Sequence, residues 1–299
     1  MNKMKKSVIV ALLATLCSAA WATSLEELLI QAVKTSDMNI LQGALQWANP
    51  NYTDASGKTA LMYACENGWY AGVVTLLEKG AQVEIKNKAD GKTALMYAVQ
   101  SVNTMIVQKL IEAMANINAK DFDGKTALMY AIESNNNRVA NFLLKLGADC
   151  LATDNYGNTI ALYAVKHKNR MLLRELVGNF LIDWNKTNNE GISPLALACM
   201  DGDLNIINQL LQEAPIEISA SHIDGQSIII WLIANRKSPA IIEYLVNFCN
   251  PEEIRSMTDV EGHDIKYWAE KQGYKNILIR LYEIEEKESR RDRAYSKHR

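Results

Sequence analysis

The chain has 299 residues, a net charge of −2 at pH 7 and a hydrophobic content of 48%. This near-neutral balance argues against a nucleic-acid-binding protein, because such a protein needs a concentrated basic surface. The hydrophobic content is sufficient for a packed core. Beyond the first 22 residues, no apolar stretch reaches the about 20 residues that a membrane-spanning helix requires, so no span is expected there.

The first 22 residues have the pattern of a secretory signal peptide. Met1 to Lys6 carries three lysines and no acid, and Ser7 to Ala20 is a short apolar run. Ala20-Trp21-Ala22 then offers the small residues that a signal peptidase recognises, which predicts cleavage after Ala22. The lysine-rich start and alanine-leucine core are typical of bacterial export, so a periplasmic or secreted protein is expected. The alternatives are an uncleaved N-terminal anchor and a lipoprotein modified at Cys17.

The dominant pattern in the chain is an eight-residue motif with a period near 33 residues. Gly-Lys-Thr-Ala-Leu-Met-Tyr-Ala begins at Gly57, Gly91 and Gly124. Weaker copies of the motif begin at Gly157, Gly191, Gly225 and Gly262. A fixed period of this length indicates one supersecondary unit that is stacked many times.

Each repeat carries signals for a turn followed by two helices. Gly57 follows a polar turn, where glycine tolerates a positive φ, and Thr59 is placed to cap the first helix. The segment from Val73 to Leu77 places apolar residues at helical spacing on one face. Gly80 then stands where a left-handed residue ends the second helix. The sequence therefore predicts a helix-turn-helix unit.

The repeated unit resembles the ankyrin repeat, whose core reads D-x-x-G-x-T-P-L-H-x-A-A. The matching residues in the clearest copies are Asp54, Gly57, Thr59, Leu61 and Ala64, and Asp121, Gly124, Thr126, Leu128 and Ala131. The later V-V-x-x-L-L-x-x-G-A part of the family pattern is matched from Val73 to Ala81. The resemblance implies an all-α ankyrin-repeat solenoid of helix-turn-helix units joined by hairpin-like turns.

Two departures from the family pattern produce expectations of their own. The family's histidine is replaced by Met62, Met96 and Met129. This change removes a polar tie that braces the loop, and we expect apolar packing in its place. Met114 stands at a glycine position after a second helix, so that cap should be strained or built differently.

The repeat register predicts the organisation of the whole chain. A signal peptide (1–22) precedes an ankyrin repeat domain (23–284), and a charged C-terminal tail (285–299) either extends the last helix or is disordered. The units start near residues 24, 54, 88, 121, 154, 188, 222 and 259. The step before Gly262 is longer because residues 250–253 lengthen a connection.

Residues that could carry chemistry show no pattern that requires it. Gly-Lys-Thr occurs three times, but each copy lies in the repeat register and lacks the first glycine of a phosphate-binding loop. No two histidines have the spacing of zinc ligands. Four cysteines remain after residue 22, namely Cys65, Cys150, Cys199 and Cys249, and they are interpreted as buried hydrophobic residues. No catalytic residue, cofactor or metal is expected.

The resemblance implies a protein partner bound through the hairpin tips and the inner helices on the concave face. The candidate contact residues are Phe122, Asp123, Lys125, Glu133, Asn155, Tyr156, Asn158, Lys166 and His167. Exposed aromatic residues are frequent hot spots, although Phe122 could instead fold onto its own hairpin. Tyrosines that repeat in register are interpreted as packing between repeats, and the repeated lysines Lys58, Lys92 and Lys125 as a mostly solvated edge.

The resulting hypothesis is an exported, non-catalytic ankyrin-repeat scaffold that binds another protein. The partner's identity is unknown, and a monomer is expected. One alternative is an exported effector or an immunity-type protein that binds a host or toxin protein. Another is a general envelope-support protein without one defined partner.

Overall fold

The computed structural model describes residues 24–101, 103–178, 181–219, 221–223 and 225–296. The predicted signal peptide lies outside these residues. The chain divides between Asp149 and Cys150 into two compact units. Each unit consists of helix pairs joined by turns, with almost no sheet among the described residues. The expected all-α, helix-turn-helix repeat architecture is therefore confirmed.

The first unit contains four helix pairs. Their bounds are α1 (Leu25–Lys34), α2 (Met38–Ala44), α3 (Ala60–Glu66), α4 (Tyr70–Glu78), α5 (Ala94–Ala98), α6 (Thr104–Glu112), α7 (Ala127–Glu133) and α8 (Asn137–Lys145). Within each pair the first helix is the inner helix and the second is the outer helix. Neighbouring inner helices pack on one another, as do neighbouring outer helices.

The second unit contains four further pairs, one additional short helix and one small hairpin. The helices are α9 (Ile160–Lys166), α10 (Arg170–Val177), α11 (Pro194–Asp201), α12 (Leu204–Glu213), α13 (Ile228–Ala234), α14 (Pro239–Phe248), α15 (Pro251–Ser256), α16 (Ile265–Gln272) and α17 (Lys275–Ser296). The strands β1 (His222–Ile223) and β2 (Gln226–Ser227) pair antiparallel, with His222 opposite Ser227. The longer connection before Gly262 holds α15, which Asn250 caps.

Most inner helices begin where a hydroxyl side chain caps them, whereas the Asp264 carboxylate caps α16. Thr59, Thr126 and Ser193 each accept a hydrogen bond from the backbone N–H three residues on. Such a cap satisfies an N–H that would otherwise have no partner in the helix and contributes ~1 kcal/mol. Thr93 is an exception, because its buried hydroxyl has no hydrogen-bond partner among the described residues.

The core of each unit is a strip shared by successive repeats. The alanine, leucine and methionine of the repeated motif are almost completely buried, as Ala127, Leu128 and Met129 show with at most 1% exposure. The outer helices add one apolar face each, for example Val139 and Leu143 on α8. Burial of this kind contributes about 25 cal/mol for each Å² of apolar surface removed from water.

Met114 confirms that the third repeat ends differently from its neighbours. Gly80 and Gly147 end their outer helices with φ values of +84° and +87°. Met114 occupies the same position with φ 68°, in a left-handed conformation that is unfavourable for a residue with a β-carbon. Its side chain is 85% exposed, so no packing compensates for the strain.

The last helix, α17, is longer than the other outer helices. Ile277 and Leu281 in its first half are buried, whereas the second half is dominated by charged residues. Arg255 on α15 forms an ion pair with Glu288 of this charged half, and Lys266 on α16 forms one with Glu285. Within the residues described, none of the helices combines the length and apolarity needed to cross a membrane.

Candidate protein-binding surface

The hairpin-like turns are organised by one aspartate in each of three repeats. Oδ1 of Asp121 accepts hydrogen bonds from the backbone N–H groups of Asp123 and Lys125, at 3.0 and 2.8 Å. Its Oδ2 accepts the hydroxyl proton of Tyr130, at 2.5 Å. Asp54 and Asp154 repeat this arrangement, with oxygen–oxygen distances of 2.8 Å to Tyr63 and to Tyr163. The carboxylate therefore ties the turn to the inner helix, and we call this arrangement the turn brace.

Other repeats build the same brace from different residues. In the third repeat, Asn87 donates from Nδ2 to the hydroxyl oxygen of Tyr97, at 2.7 Å. In the last repeat, Oδ2 of Asp259 accepts a hydrogen bond from the indole N–H of Trp268, at 2.9 Å. Several repeats thus hold a hydrogen-bonding pair at this position, in more than one chemical version.

This brace corrects the expectation that apolar packing alone replaces the family's polar tie. Met62, Met96 and Met129 are buried, as expected. The adjacent tyrosine, however, supplies a new polar tie through its hydroxyl group, for example from Tyr130 to Asp121. The repeated tyrosines therefore do more than pack between repeats.

The electrostatics of the turn follow from the brace. Burial by itself raises the pKa of the Asp154 carboxyl, but hydrogen bonds from Asn158, Tyr163 and the backbone outweigh it and place the pKa below the ordinary 3.8. Burial also raises the pKa of Tyr97, to about 12. The Tyr97 hydroxyl consequently remains protonated, and the Asp154 carboxylate remains an anionic acceptor, at neutral pH.

The repeated lysines are not a solvated edge, and this expectation was wrong. The side chains of Lys58, Lys92 and Lys125 are only 18–21% exposed. Lys125 Nζ lies 2.6 Å from Glu133 and 5.4 Å from the ring centroid of Tyr130. Cation–π contact and ion pairing hold these lysines within the first unit. They are therefore less available to a partner than their sequence position implied.

The ring of Phe122 packs on the hairpin of the preceding repeat. A β-carbon added to Gly91 would stand 2.5 Å from Phe122 Cδ1, so the ring covers the glycine of the preceding turn. The backbone N–H of Phe122 also donates to the carbonyl oxygen of Asp90, at 3.0 Å. The alternative that Phe122 folds onto its own hairpin is thus replaced by contact with the previous one, while 58% of the residue stays exposed.

Tyr156, at the tip of a hairpin in the second unit, is the more accessible aromatic residue. It is 62% exposed. Its backbone N–H donates to Asp154 and its carbonyl oxygen accepts from the N–H of Asn189. Across the described residues, its phenol ring and hydroxyl make no ring contact and no hydrogen bond. The backbone is therefore fixed, while the side chain is presented to solvent.

The other candidate residues differ in their exposure and in the contacts that they make within the fold. Asp123, Asn155 and Lys166 are exposed. Asn158 is partly buried and donates from Nδ2 to Asp154, at 2.9 Å. His167 is partly buried and stacks on Tyr163 with a centroid separation of 6.3 Å. Phe122, Asp123, Lys125 and Glu133 belong to the first unit, and the remaining five belong to the second.

One cluster of potential metal ligands has a structural explanation. Potential ligand atoms of Asp259, Glu261 and His263 lie within 4.8 Å of one another. The Asp259 carboxylate, however, accepts the backbone N–H groups of Glu261 and His263 and the indole N–H of Trp268. These bonds hold the pKa of Asp259 below its ordinary value, against the effect of burial. The carboxylate is the turn brace of the last repeat.

The cysteines are mostly part of the core. Cys65 and Cys199 are buried on inner helices, and burial raises the pKa of both thiols. Cys249 is also buried, and burial raises the pKa of its thiol to about 12. Cys150 is partly exposed, so the interpretation as a buried hydrophobic residue does not extend to it.

Comparison with protein families identifies the fold family directly. The family model described as ankyrin repeats (3 copies) matches residues 28–121, 70–154, 102–186 and 161–252. These overlapping matches cover most of the chain, which therefore belongs to the ankyrin repeat family. Ankyrin repeats generally mediate protein–protein interaction, and such proteins are typically non-enzymatic scaffolds. Comparison with curated proteins gives no match.

Proposed function

We propose that this protein is an exported, non-catalytic scaffold that binds another protein through the hairpin tips and the concave face of its ankyrin repeats. The family supports a protein partner in general terms. Export and the particular surface are the finer parts of the proposal. The chain acts as a monomer in this account, with one bound partner.

Tyr156 is the observation that carries the proposal. Exposed aromatic side chains are unfavourable in water, and tyrosine is among the residues most enriched at binding hot spots. The braced turn below Tyr156 fixes the backbone, so less conformational entropy is lost when a partner binds. Asn155 and Lys166 in the same unit are exposed polar residues suited to the rim of such a contact.

Export rests on the pattern of the first 22 residues. The protein isolated from its native cell should begin at Thr23, and N-terminal sequencing measures this directly. A periplasmic or secreted location follows from cleavage at that point. An intact Met1 on soluble cytoplasmic protein would contradict the export proposal without affecting the binding proposal.

Affinity capture tests the scaffold proposal. The chain from Thr23 onward is immobilised and exposed to periplasmic extract of the native cell and, separately, to extracellular proteins. One protein retained in near-stoichiometric amount supports a scaffold with a defined partner. A captured host protein or toxin would instead identify the effector or immunity-type alternative. If both arms retain nothing, the envelope-support alternative is favoured.

A further inference from the structure

A cleft in the second unit lies between two loops that connect inner and outer helices. It has a volume of about 460 Å³, and Arg236, Lys237 and Pro239 line one side. The residues from Gln272 to Ile277 line the other side, and Glu243 also contributes. We call this site the basic cleft, defined by Arg236, Lys237 and Lys275. Its volume falls within the ~300–1,000 Å³ of typical ligand sites.

Two hydrogen bonds hold the walls of the basic cleft together. Arg236 donates from Nε to Oε1 of Gln272, at 2.9 Å. Tyr274 donates its hydroxyl proton to the carbonyl oxygen of Lys237, also at 2.9 Å. Burial raises the pKa of Tyr274, so the hydroxyl remains a donor at neutral pH. The cleft therefore has a preformed shape, which lowers the entropy cost of binding.

The charges that line the basic cleft are not compensated within the fold. Other cations of the second unit are paired, such as Arg255 with Glu288 and Lys266 with Glu285. By contrast, no ion pair to Arg236, Lys237 or Lys275 occurs in the part of the chain that the structure describes. Glu243 is the one acidic residue in the lining. A concave surface with excess positive charge attracts anions more strongly than a flat one.

The side chains and the nearby helices also favour an anion. Lys237 Nζ lies 5.5 Å from the ring centroid of Trp231, which holds the lysine without neutralising it. Within the described fold, the guanidinium of Arg236 donates a hydrogen bond only from Nε. Its two terminal nitrogens can therefore donate a bidentate pair of hydrogen bonds to a carboxylate. Helices α14 and α17 both begin at the cleft, and Ser238 gives α14 no side-chain cap. Their positive dipole ends add to the same field.

A second groove lacks this excess of positive charge. In the first unit, a groove of about 650 Å³ at the corresponding position between loops is lined by residues from Glu66 to Gly68, by Gln100 and Ser101, and by residues from Asn103 to Met105. Its charged lining residues are Glu66 and Arg138, which balance. The two grooves thus lie at corresponding positions between loops, and of these two only the basic cleft has an excess of positive charge in its lining.

We propose that the basic cleft binds an acidic segment of a protein, through carboxylates of consecutive aspartate or glutamate residues. The proposal rests on the proposed scaffold function, because it supplies one anchoring point for the protein partner. A peptide source of the anion is favoured by the family's general role in protein–protein interaction. Inorganic phosphate is the competing source that the experiment must exclude.

The test uses the chain from Thr23 onward and a fluorescein-labelled acidic hexapeptide of alternating aspartate and glutamate. Fluorescence anisotropy at about 0.1 M ionic strength, where the Debye length is ~10 Å, measures binding, and the matched peptide of asparagine and glutamine is the negative control. The double substitution Arg236→Gln and Lys275→Gln should weaken binding about ten-fold, which corresponds to one or two lost charge-assisted hydrogen bonds. Binding should also fall with added salt.

Two controls separate the basic cleft from general charge and from misfolding. Lys287→Gln with Arg291→Gln removes two exposed cations from the far part of α17 and should change affinity less than two-fold, as distant surface charges are largely screened. Lys275→Gln alone disturbs no hydrogen bond or ion pair among the described residues, so it should keep the fold and still weaken binding. Circular dichroism checks the fold of every variant.

The outcomes distinguish this proposal from the proposed function. Equal losses in the cleft and control variants, or no binding by the wild-type chain, would overturn the basic cleft as a peptide site. Displacement of the peptide by inorganic phosphate at the same concentration would assign the site to phosphate and overturn it too. None of these results bears on whether affinity capture yields a partner protein. Conversely, if no partner is captured but the wild-type chain still binds the acidic peptide, the scaffold function is overturned and the basic cleft is not.

Discussion

The ring of Phe122 lies against Gly91, which belongs to the preceding hairpin. A β-carbon on Gly91 would be 2.5 Å from Phe122 Cδ1 and 2.8 Å from Cε1. Gly91 also has φ +77°, a conformation that favours glycine. Phe122, although 58% exposed, therefore covers the turn at Gly91. Both the backbone conformation and the lack of space at Gly91 exclude a side chain there.

Substitution of Gly91 should show this contact directly. Gly91→Ala should destabilise the first unit by about 1–3 kcal/mol more than Gly80→Ala, because only the first adds a clash to the backbone strain. Gly80 has φ +84°, and no atom lies within 4 Å of its β-carbon position. Urea denaturation followed by circular dichroism gives both values. In the Phe122→Ala background the difference should disappear, and its persistence there would contradict the contact.

Removal of one hydroxyl group tests the turn brace. Tyr130→Phe should lower stability by about 1.5–3 kcal/mol, because a buried carboxylate loses a hydrogen bond. Tyr63→Phe is the matched control and should cost less, since Asp54 also accepts a hydrogen bond from the Ser56 hydroxyl, at 2.6 Å. Equal losses for the two variants would mean that the additional hydrogen bond from Ser56 does not compensate Asp54 for the lost tyrosine hydroxyl.

The brace also predicts a pH dependence. The pKa of Asp154 is lowered in the folded state, so its ionised form stabilises the fold above the ordinary value of 3.8, and this contribution is lost as the pH falls through the folded-state pKa. Asp154→Asn should be less stable than the wild type at pH 7. The difference should shrink as the solution is acidified below about pH 4. Thermal denaturation between pH 7 and pH 3 measures it. A constant difference would contradict the charge-based account.

Asparagine is a suitable replacement in that experiment because the chain already uses it. Asn188 stands at the same position of the following repeat, where its Oδ1 accepts the N–H groups of Glu190 and Ile192, each at 3.0 Å. The turn should therefore keep its shape in Asp154→Asn, and the change should report on charge.

Relief of strain at Met114 should stabilise the protein. Met114→Gly should raise stability by about 0.5–1 kcal/mol, because the left-handed backbone is unfavourable for methionine, although glycine gains freedom in the unfolded chain. Met114→Ala is the control: it shortens a side chain that is 85% exposed but keeps the strain, so stability should hardly change. A gain of equal size in both variants would point to the side chain as the cause.

Local features of the fold were predictable from the sequence. The cap at Thr59, the turn at Gly57 and the apolar face around Val73 depend on residues within one repeat, and the structure shows each of them. The tyrosine brace also had a signal that the sequence interpretation missed. Asp121 and Tyr130 are separated by nine residues, as are the equivalent pairs in two other repeats.

Contacts between repeats were less predictable. Phe122 packs on Gly91, 31 positions earlier, and nothing within either hairpin indicates that contact. Lys92 lies 4.8 Å from the ring centroid of Tyr130 in the next repeat, so its burial depends on stacking geometry. The basic cleft joins Arg236 and Lys275 in the same way. The repeat register aligns such residues, but it does not show which of them are already paired.

The measurement that tests the account most directly is titration calorimetry of the captured partner with wild-type chain, Tyr156→Ala and Met171→Ala. Met171 is a matched control, since it is 68% exposed and lies on the outer helix of the same repeat. Tyr156→Ala should weaken binding by at least ~2 kcal/mol, the usual threshold for a hot spot, while Met171→Ala should bind like the wild type. Unchanged affinity of a correctly folded Tyr156→Ala variant would contradict binding at this hairpin tip.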